Sequence, residues 1–122
     1  MGKKILVVDD SESVRRVVGI ALRDSGYEVI EACDGQDAFG KLEGVKVHLI
    51  ISDVNMPNMD GISFVKALKG HPRLKFTPVI MLTTEAGPEM LEQGRVAGAK
   101  AWVVKPFQPR ALLDAVAKLV LA

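Results

Sequence analysis

Residues 5–16 read ILVVDDSESVRR. Ile5 to Val8 are four consecutive branched apolar residues, too few for a helix and without the alternation of a half-exposed strand. A run of this kind is a strand covered on both faces, the habit of a parallel sheet. It stops at Asp9 and Asp10. Ser11 then stands where a helix N-cap stands, ahead of Val14, Val17, Val18, Ala21 and Leu22 at helical spacing, with Gly26 past the end. Arg15 and Arg16 fall on what reads as a solvated helix face. A buried strand, a polar turn and an amphipathic helix together make one βα unit.

The same alternation recurs along the chain. Tyr27 to Cys33 reads as a second strand, with Cys33 a small core residue at its end. Asp34-Gly35 is a turn, and Ala38, Phe39 and Leu42 suggest a short helix weakened by Gly40. Val47 to Ser52 is a third buried strand ending at Asp53. The segment from Val54 to Gly61 contains Pro57 and Asn58 and reads as a loop, and Ile62, Val65 and Leu68 mark a third helix. Pro78 precedes a fourth strand, Val79 to Leu82, which ends at Thr83. Pro88 suits the first position of a fourth helix, which Gly94 and Gly98 should make the least stable of the set. Trp102 to Val104 is a fifth strand ending at Lys105-Pro106, and Leu112, Leu113, Val116, Leu119 and Val120 line a last helix. Strand then helix, five times over, predicts an α/β sandwich with a mostly parallel sheet, helices on both faces and right-handed crossovers.

The chain of 122 residues is the size of one domain, expected to span residues 1–122 with no separate output domain. Sixteen basic against fifteen acidic residues exclude a strongly basic nucleic-acid binder. One cysteine excludes an internal disulfide framework and suits a reducing compartment. No apolar run approaches the ~20 residues that cross a bilayer. The stretch after Lys4 is too short for a signal peptide, so the expected location is the cytoplasm.

In open parallel sheets, ligands gather outside the carboxyl ends of the strands. The residues there are Asp9, Asp10, Asp53, Thr83 and Lys105. Three carboxylates so grouped repel one another, and Lys105 offsets part of their charge. A hard divalent cation resolves the rest, and magnesium, with its taste for carboxylate, water and phosphate oxygens, fits. A carboxylate beside such a cation can act as a nucleophile toward a phosphoryl group. Each piece alone has a plainer reading. Asp9-Asp10 favours the following helix N-terminus, Thr83 satisfies strand-end backbone, and Lys105 is a loop lysine. Their joint occurrence at four strand ends carries the functional reading.

ILVVDDSESVRR, ISDVNMPNMDG, VIMLTTEA and AWVVKPF, in this order and spacing, resemble the response-regulator receiver family, most of all its single-domain chemotaxis type. The likeness covers essentially the whole chain. It implies a flavodoxin-like (βα)5 three-layer sandwich with strand order 2-1-3-4-5. It also implies Asp53 as phosphoacceptor, and magnesium held by Asp10, Asp53 and the Asn55 carbonyl, with Asp9 acting through a coordinated water. Lys105 would pair first with the carboxylate and then with the phosphoryl oxygens. Thr83 would bond the phosphoryl group and shift with it, and the Lys105-Pro106 bond would be cis. Asn55 and Glu85 fall where the family tunes hydrolysis of the acyl phosphate, and both match the fast, chemotaxis type. The implied protein is a phosphorylation-activated switch rather than an enzyme, with self-phosphorylation and self-dephosphorylation only.

The implied partners are a sensor histidine kinase, a downstream protein such as a flagellar motor switch protein, and a phosphatase. Neither nucleic acid nor membrane is among them, and a monomer is expected. The output face would be the fourth helix, fifth strand and last helix, with the fourth helix, near Met90, Leu91 and Val96, its mobile part. The chain departs from the pattern at Trp102, where the family's switch aromatic is usually Tyr or Phe. Trp102 is either the switch or a surface cover for the fifth strand. His48 and His71 read as structural, and Met56 and Met59 as packing beneath the site.

Four other readings remain. A flavin module would need a phosphate-cradling first loop, and here that loop opens on two carboxylates. An aspartate-nucleophile phosphatase usually has a second acid where Asn55 stands, and a substrate cap. A degenerate receiver would lack site residues that this chain has. A shuttle in a multi-step phosphorelay would use the same site.

Overall fold

A computed structural model describes residues 3–54, 59–84 and 87–120, the side chain of Met90 excepted. The elements run β1 (Lys4–Val8), α1 (Glu12–Asp24), β2 (Glu28–Ala32), α2 (Gly35–Leu42), β3 (Leu49–Asp53), α3 (Gly61–Lys69), β4 (Val79–Thr83), α4 (Pro88–Ala97), β5 (Ala101–Val104) and α5 (Pro109–Val120). The sheet order is β2-β1-β3-β4-β5, every pairing parallel. This is the expected (βα)5 three-layer arrangement.

The sheet splits the core in two, because successive strand residues point to opposite faces. Leu6, Val8, Ile50, Val79 and Met81 face α2, α3 and α4, where Ala38, Leu42, Phe64, Val65, Leu68 and Ala97 meet them. Ile5, Val7, Leu49, Ile51, Ile80 and Leu82 face α1 and α5, where Val18, Leu22, Leu112, Val116 and Val120 meet them. Phe39 and Phe64 stack edge to face in the first core, ring centroids 5.4 Å apart. β1, β3 and β4 need apolar side chains on both faces, which is why they read as unbroken apolar runs. β2 is an edge strand and is only part-buried.

Three helices begin on side-chain caps. Ser11 accepts from the Val14 N–H, Asp34 from that of Asp37 and Asp60 from that of Ser63. α4 starts at Pro88 after Gly87, with no capping side chain, and ends on left-handed Gly98 (φ 118°).

Three expectations need correction. Val17 is 54% exposed, since α1 meets the sheet along Val18 and Leu22. Cys33 is exposed rather than in the core, because β2 stops at Ala32 and the chain turns there toward the Asp34 cap. Arg16 is solvated and paired with Glu12, but Arg15 is drawn inward, its side chain 16% exposed.

Candidate functional site

The parallel register brings four strand ends to one edge. Asp9 follows β1 and is fully buried. Its Oδ1 accepts from the Ser11 N–H (2.9 Å) and its Oδ2 from Lys105 Nζ (3.0 Å). Asp53 closes β3 at 6% exposure. Its Oδ1 accepts from the Val54 N–H at 2.9 Å and lies 3.3 Å from Lys105 Nζ. Asp10 sits exposed beside them, and one carboxylate oxygen from each of Asp9, Asp10 and Asp53 lies within 4.8 Å of the others. Thr83 closes β4, fully buried, and its carbonyl accepts from the Lys105 N–H at 2.7 Å. The cis Lys105-Pro106 bond follows directly. The five residues singled out from the sequence therefore share one edge, with Lys105 as the cation between two of the acids.

Burial, then the charge of Asp9, pushes the Asp53 carboxyl above the ordinary carboxylate range, and Lys105 reverses only part of this. Burial pulls the Lys105 ammonium down. Its hydrogen bond to Asp9 and the charges of Asp9 and Asp53 outweigh that, leaving it above its usual value. The cluster thus holds more negative charge than its own lysine neutralises. An all-oxygen donor set with surplus negative charge suits a hard divalent cation.

Three residues that shape the site and its surroundings were given no such role from the sequence. Arg15 Nη1 donates to the Asp9 carbonyl at 2.5 Å, and its Nε lies 3.5 Å from Glu31 Oε1, so α1 and β2 brace the turn that presents Asp9 and Asp10. Gly61 opens α3 against the end of β3; a Cβ there would fall 2.2 Å from the Asp53 carbonyl oxygen. Its N–H donates to the Val54 carbonyl at 2.7 Å. Asp60-Gly61, a cap followed by the smallest residue, is the sequence signal that could have marked this close approach. Gly94 plays a similar part for Trp102, since a Cβ there would meet Trp102 Cζ2 at 2.1 Å. Trp102 is half-buried and packs against the core on the α4 side, so it is not simply a surface cover.

Met59 packs against Gly35 at the start of α2. His48 Nδ1 accepts from the Lys4 N–H at 3.0 Å and His71 Nδ1 from the Arg73 N–H at 3.2 Å, both structural bonds. Asn55, Met56 and Glu85 lie outside the described residues.

The response regulator receiver domain family matches residues 5–117. The chain belongs to that family. It is 41% identical over 113 residues to Chemotaxis protein CheY1 of Helicobacter pylori, covering 91% of each chain. The structure of chemotaxis protein CheY4 from Vibrio cholerae superposes with a TM-score of 0.93 at 47% identity, covering 98% of this chain and 99% of that one. The receiver domain of sensor histidine kinase PA1611 from Pseudomonas aeruginosa, described with a magnesium ion coordinated in its active-site cleft, gives 0.91 at 27% identity, with 100% of both chains covered. The chain is a CheY-like receiver, a phosphorylation-activated switch of two-component signalling.

Proposed function

We propose that Asp53 accepts a phosphoryl group from a phosphohistidine of a sensor histidine kinase and later loses it to water. The observation that carries this is the Lys105 ammonium, 3.0 Å from Asp9 Oδ2 and 3.3 Å from Asp53 Oδ1, inside a trio of carboxylates. An Asp53 oxygen attacks phosphorus, a P–O bond forms and the P–N bond breaks. The imidazole leaves with the electron pair and takes up a proton. Lys105 is already beside Asp53 and is within reach of phosphoryl oxygens carried on that carboxylate. Thr83, buried at the neighbouring strand end, is the hydroxyl that would follow the phosphoryl group. Asp10, Asp53 and the Asn55 carbonyl would hold magnesium, with Asp9 acting through water. Bound there, the ion would neutralise charge on the transferring group.

Water then attacks phosphorus, releasing inorganic phosphate and restoring the carboxylate. Asn55 and Glu85, by the family pattern, set that rate in the range of seconds to minutes. The protein is a phosphoacceptor and not a turnover enzyme. It is a single receiver domain over residues 1–122, working as a monomer in the cytoplasm. Its output is the α4-β5-α5 face, presented to a protein target; the likeness to chemotaxis proteins supports a flagellar motor switch protein. The likeness to a receiver domain of a sensor histidine kinase supports a second reading, a relay shuttle that passes the group from Asp53 to another histidine.

Labelling with acetyl phosphate tests the common step. The wild type should gain about 80 Da, one phosphate moiety, only with magnesium present, and Asp53→Asn should gain nothing. Absence of that gain in the wild type, or its survival in the variant, overturns the reading. Turnover of small phosphate esters beyond stoichiometric labelling would favour a phosphatase instead.

A further inference from the structure

The opposite edge of the sheet, where the strands begin, carries a second constellation. His48 precedes β3, Phe76 and Pro78 precede β4, Lys100 precedes β5, and Leu119 and Val120 end α5; together they line a cavity of about 320 Å3. Phe76 is 84% exposed, with the Lys75 ammonium 5.1 Å from its ring centroid. Ion pairs among the described residues engage Arg15, Arg16, Arg23, Lys41, Arg95 and Lys105. None engages Lys69, Lys75 or Lys100. Lys69 instead donates to the Lys75 and Thr77 carbonyls, and burial followed by the Lys100 charge lowers its pKa. The Lys69 and Lys100 charges repel each other. His48 spends its Nδ1 on the Lys4 N–H, so in the neutral ring Nε2 carries the remaining proton as a donor.

We propose that this cavity docks an acidic segment of a partner protein that carries an apolar anchor side chain. Phe76, Pro78, Leu119 and Val120 supply the apolar walls and Lys100 the cation at the rim, with the Lys75 ammonium over the Phe76 ring. An exposed aromatic beside ammonium groups that enter no ion pair among the described residues gives such a segment both burial and charge complementarity. A nucleic acid fits less well, since the lining is largely apolar and Glu28 opens β2 on the same edge. The cavity and Asp53 stand at opposite ends of five-residue strands, about 16 Å apart at ~3.3 Å per residue. Docking here therefore leaves the phosphorylation edge open, and the segment acts as a tether in either phosphorylation state.

The test uses the full chain and a fluorescein-labelled peptide of aspartate and glutamate around one central phenylalanine. Anisotropy should show saturable binding that weakens with salt. It should drop by about tenfold or more in Phe76→Ala and in Lys100→Glu, as anchor contacts do, and be unchanged after acetyl phosphate treatment. Amide NMR shifts should centre on His48, Phe76, Lys100 and Leu119. Both variants alter exposed side chains; unchanged circular dichroism and unchanged Asp53 labelling show that the fold is kept. No saturable binding, equal binding when serine replaces the phenylalanine, or shifts centred on α1 or α4 would overturn the proposal. So would tighter binding of a thymidine oligonucleotide, or self-association in sedimentation that Lys100→Glu abolishes, since the occupant would then be a nucleic acid or a second copy.

Discussion

Burial and the Asp9 charge both oppose ionisation of Asp53, so the folded protein holds that proton more tightly than the unfolded chain does. The sign follows from linkage. The group imposes no penalty below the unfolded carboxylate pKa of about 3.9, and the penalty grows as pH rises through the higher folded value until it is complete. At pH 7 without divalent ions, Asp53→Asn should therefore raise unfolding stability, by about 1 kcal/mol. In urea melts at pH 3 the gain should vanish. On the proposed function magnesium would bind the folded wild type and not the variant, and so should narrow the gap at pH 7. Asp60 behaves oppositely. Its bonds to the Ser63 N–H and hydroxyl hold its carboxyl below the usual range. That stability is present above a pH of about 4 and lost as pH falls through the folded value. Asp60→Ala should cost about 1 kcal/mol at pH 7 and less in acid, as the same melts would report.

α4 is the element in which propensity and packing conflict. Alanine is a better helix former than glycine by about 1 kcal/mol, so Gly94→Ala should stabilise an isolated α4. In the protein a Cβ would lie 2.1 Å from Trp102 Cζ2, and a flat, two-ring side chain yields less readily than a flexible one. Gly94→Ala should therefore destabilise the fold by about 1–3 kcal/mol and shift Trp102 emission. In a Trp102→Ala background, Gly94→Ala should cost far less in thermal melts than it does in the wild type. Alone among the helices preceded by a described capping residue, α4 has a glycine with no side-chain cap bond at that position. Its amides should exchange faster in deuterium than those of α1 or α5.

These elements also mark what was legible in advance. β1, β3 and β4 could be read because strands covered on both faces are spelled as continuous apolar runs, and the site because polar residues interrupt those runs at matching ends. The exposure of Val17 and Cys33 and the inward turn of Arg15 were not legible. Helical spacing gives a stripe but not which edge of it meets the sheet, and an edge strand's last residue depends on where the partner stops. Gly61 and Gly94 are governed by close approach to Asp53 and Trp102; Asp60-Gly61 hints at the first of these contacts, and no local pattern records the second.

At the scale of the whole molecule, the sheet separates two sets of apolar side chains that share no member. Val65 belongs to one and Val116 to the other, both fully buried. Truncating either to alanine should cost about 2 kcal/mol. The double variant should lose the sum to within about 0.5 kcal/mol, because the sites share no partners. Denaturant melts of the four proteins would measure this, and a coupling well above 1 kcal/mol would show that strain crosses the backbone between the layers.

That partition bears on how such a protein can change over generations. A gene copy can accumulate substitutions among the residues under α2, α3 and α4 while the layer beneath α1 and α5 stays as it was inherited. Each face is then a separately editable ledger of descent, and a new binding habit on one side need not wait for compensating changes on the other.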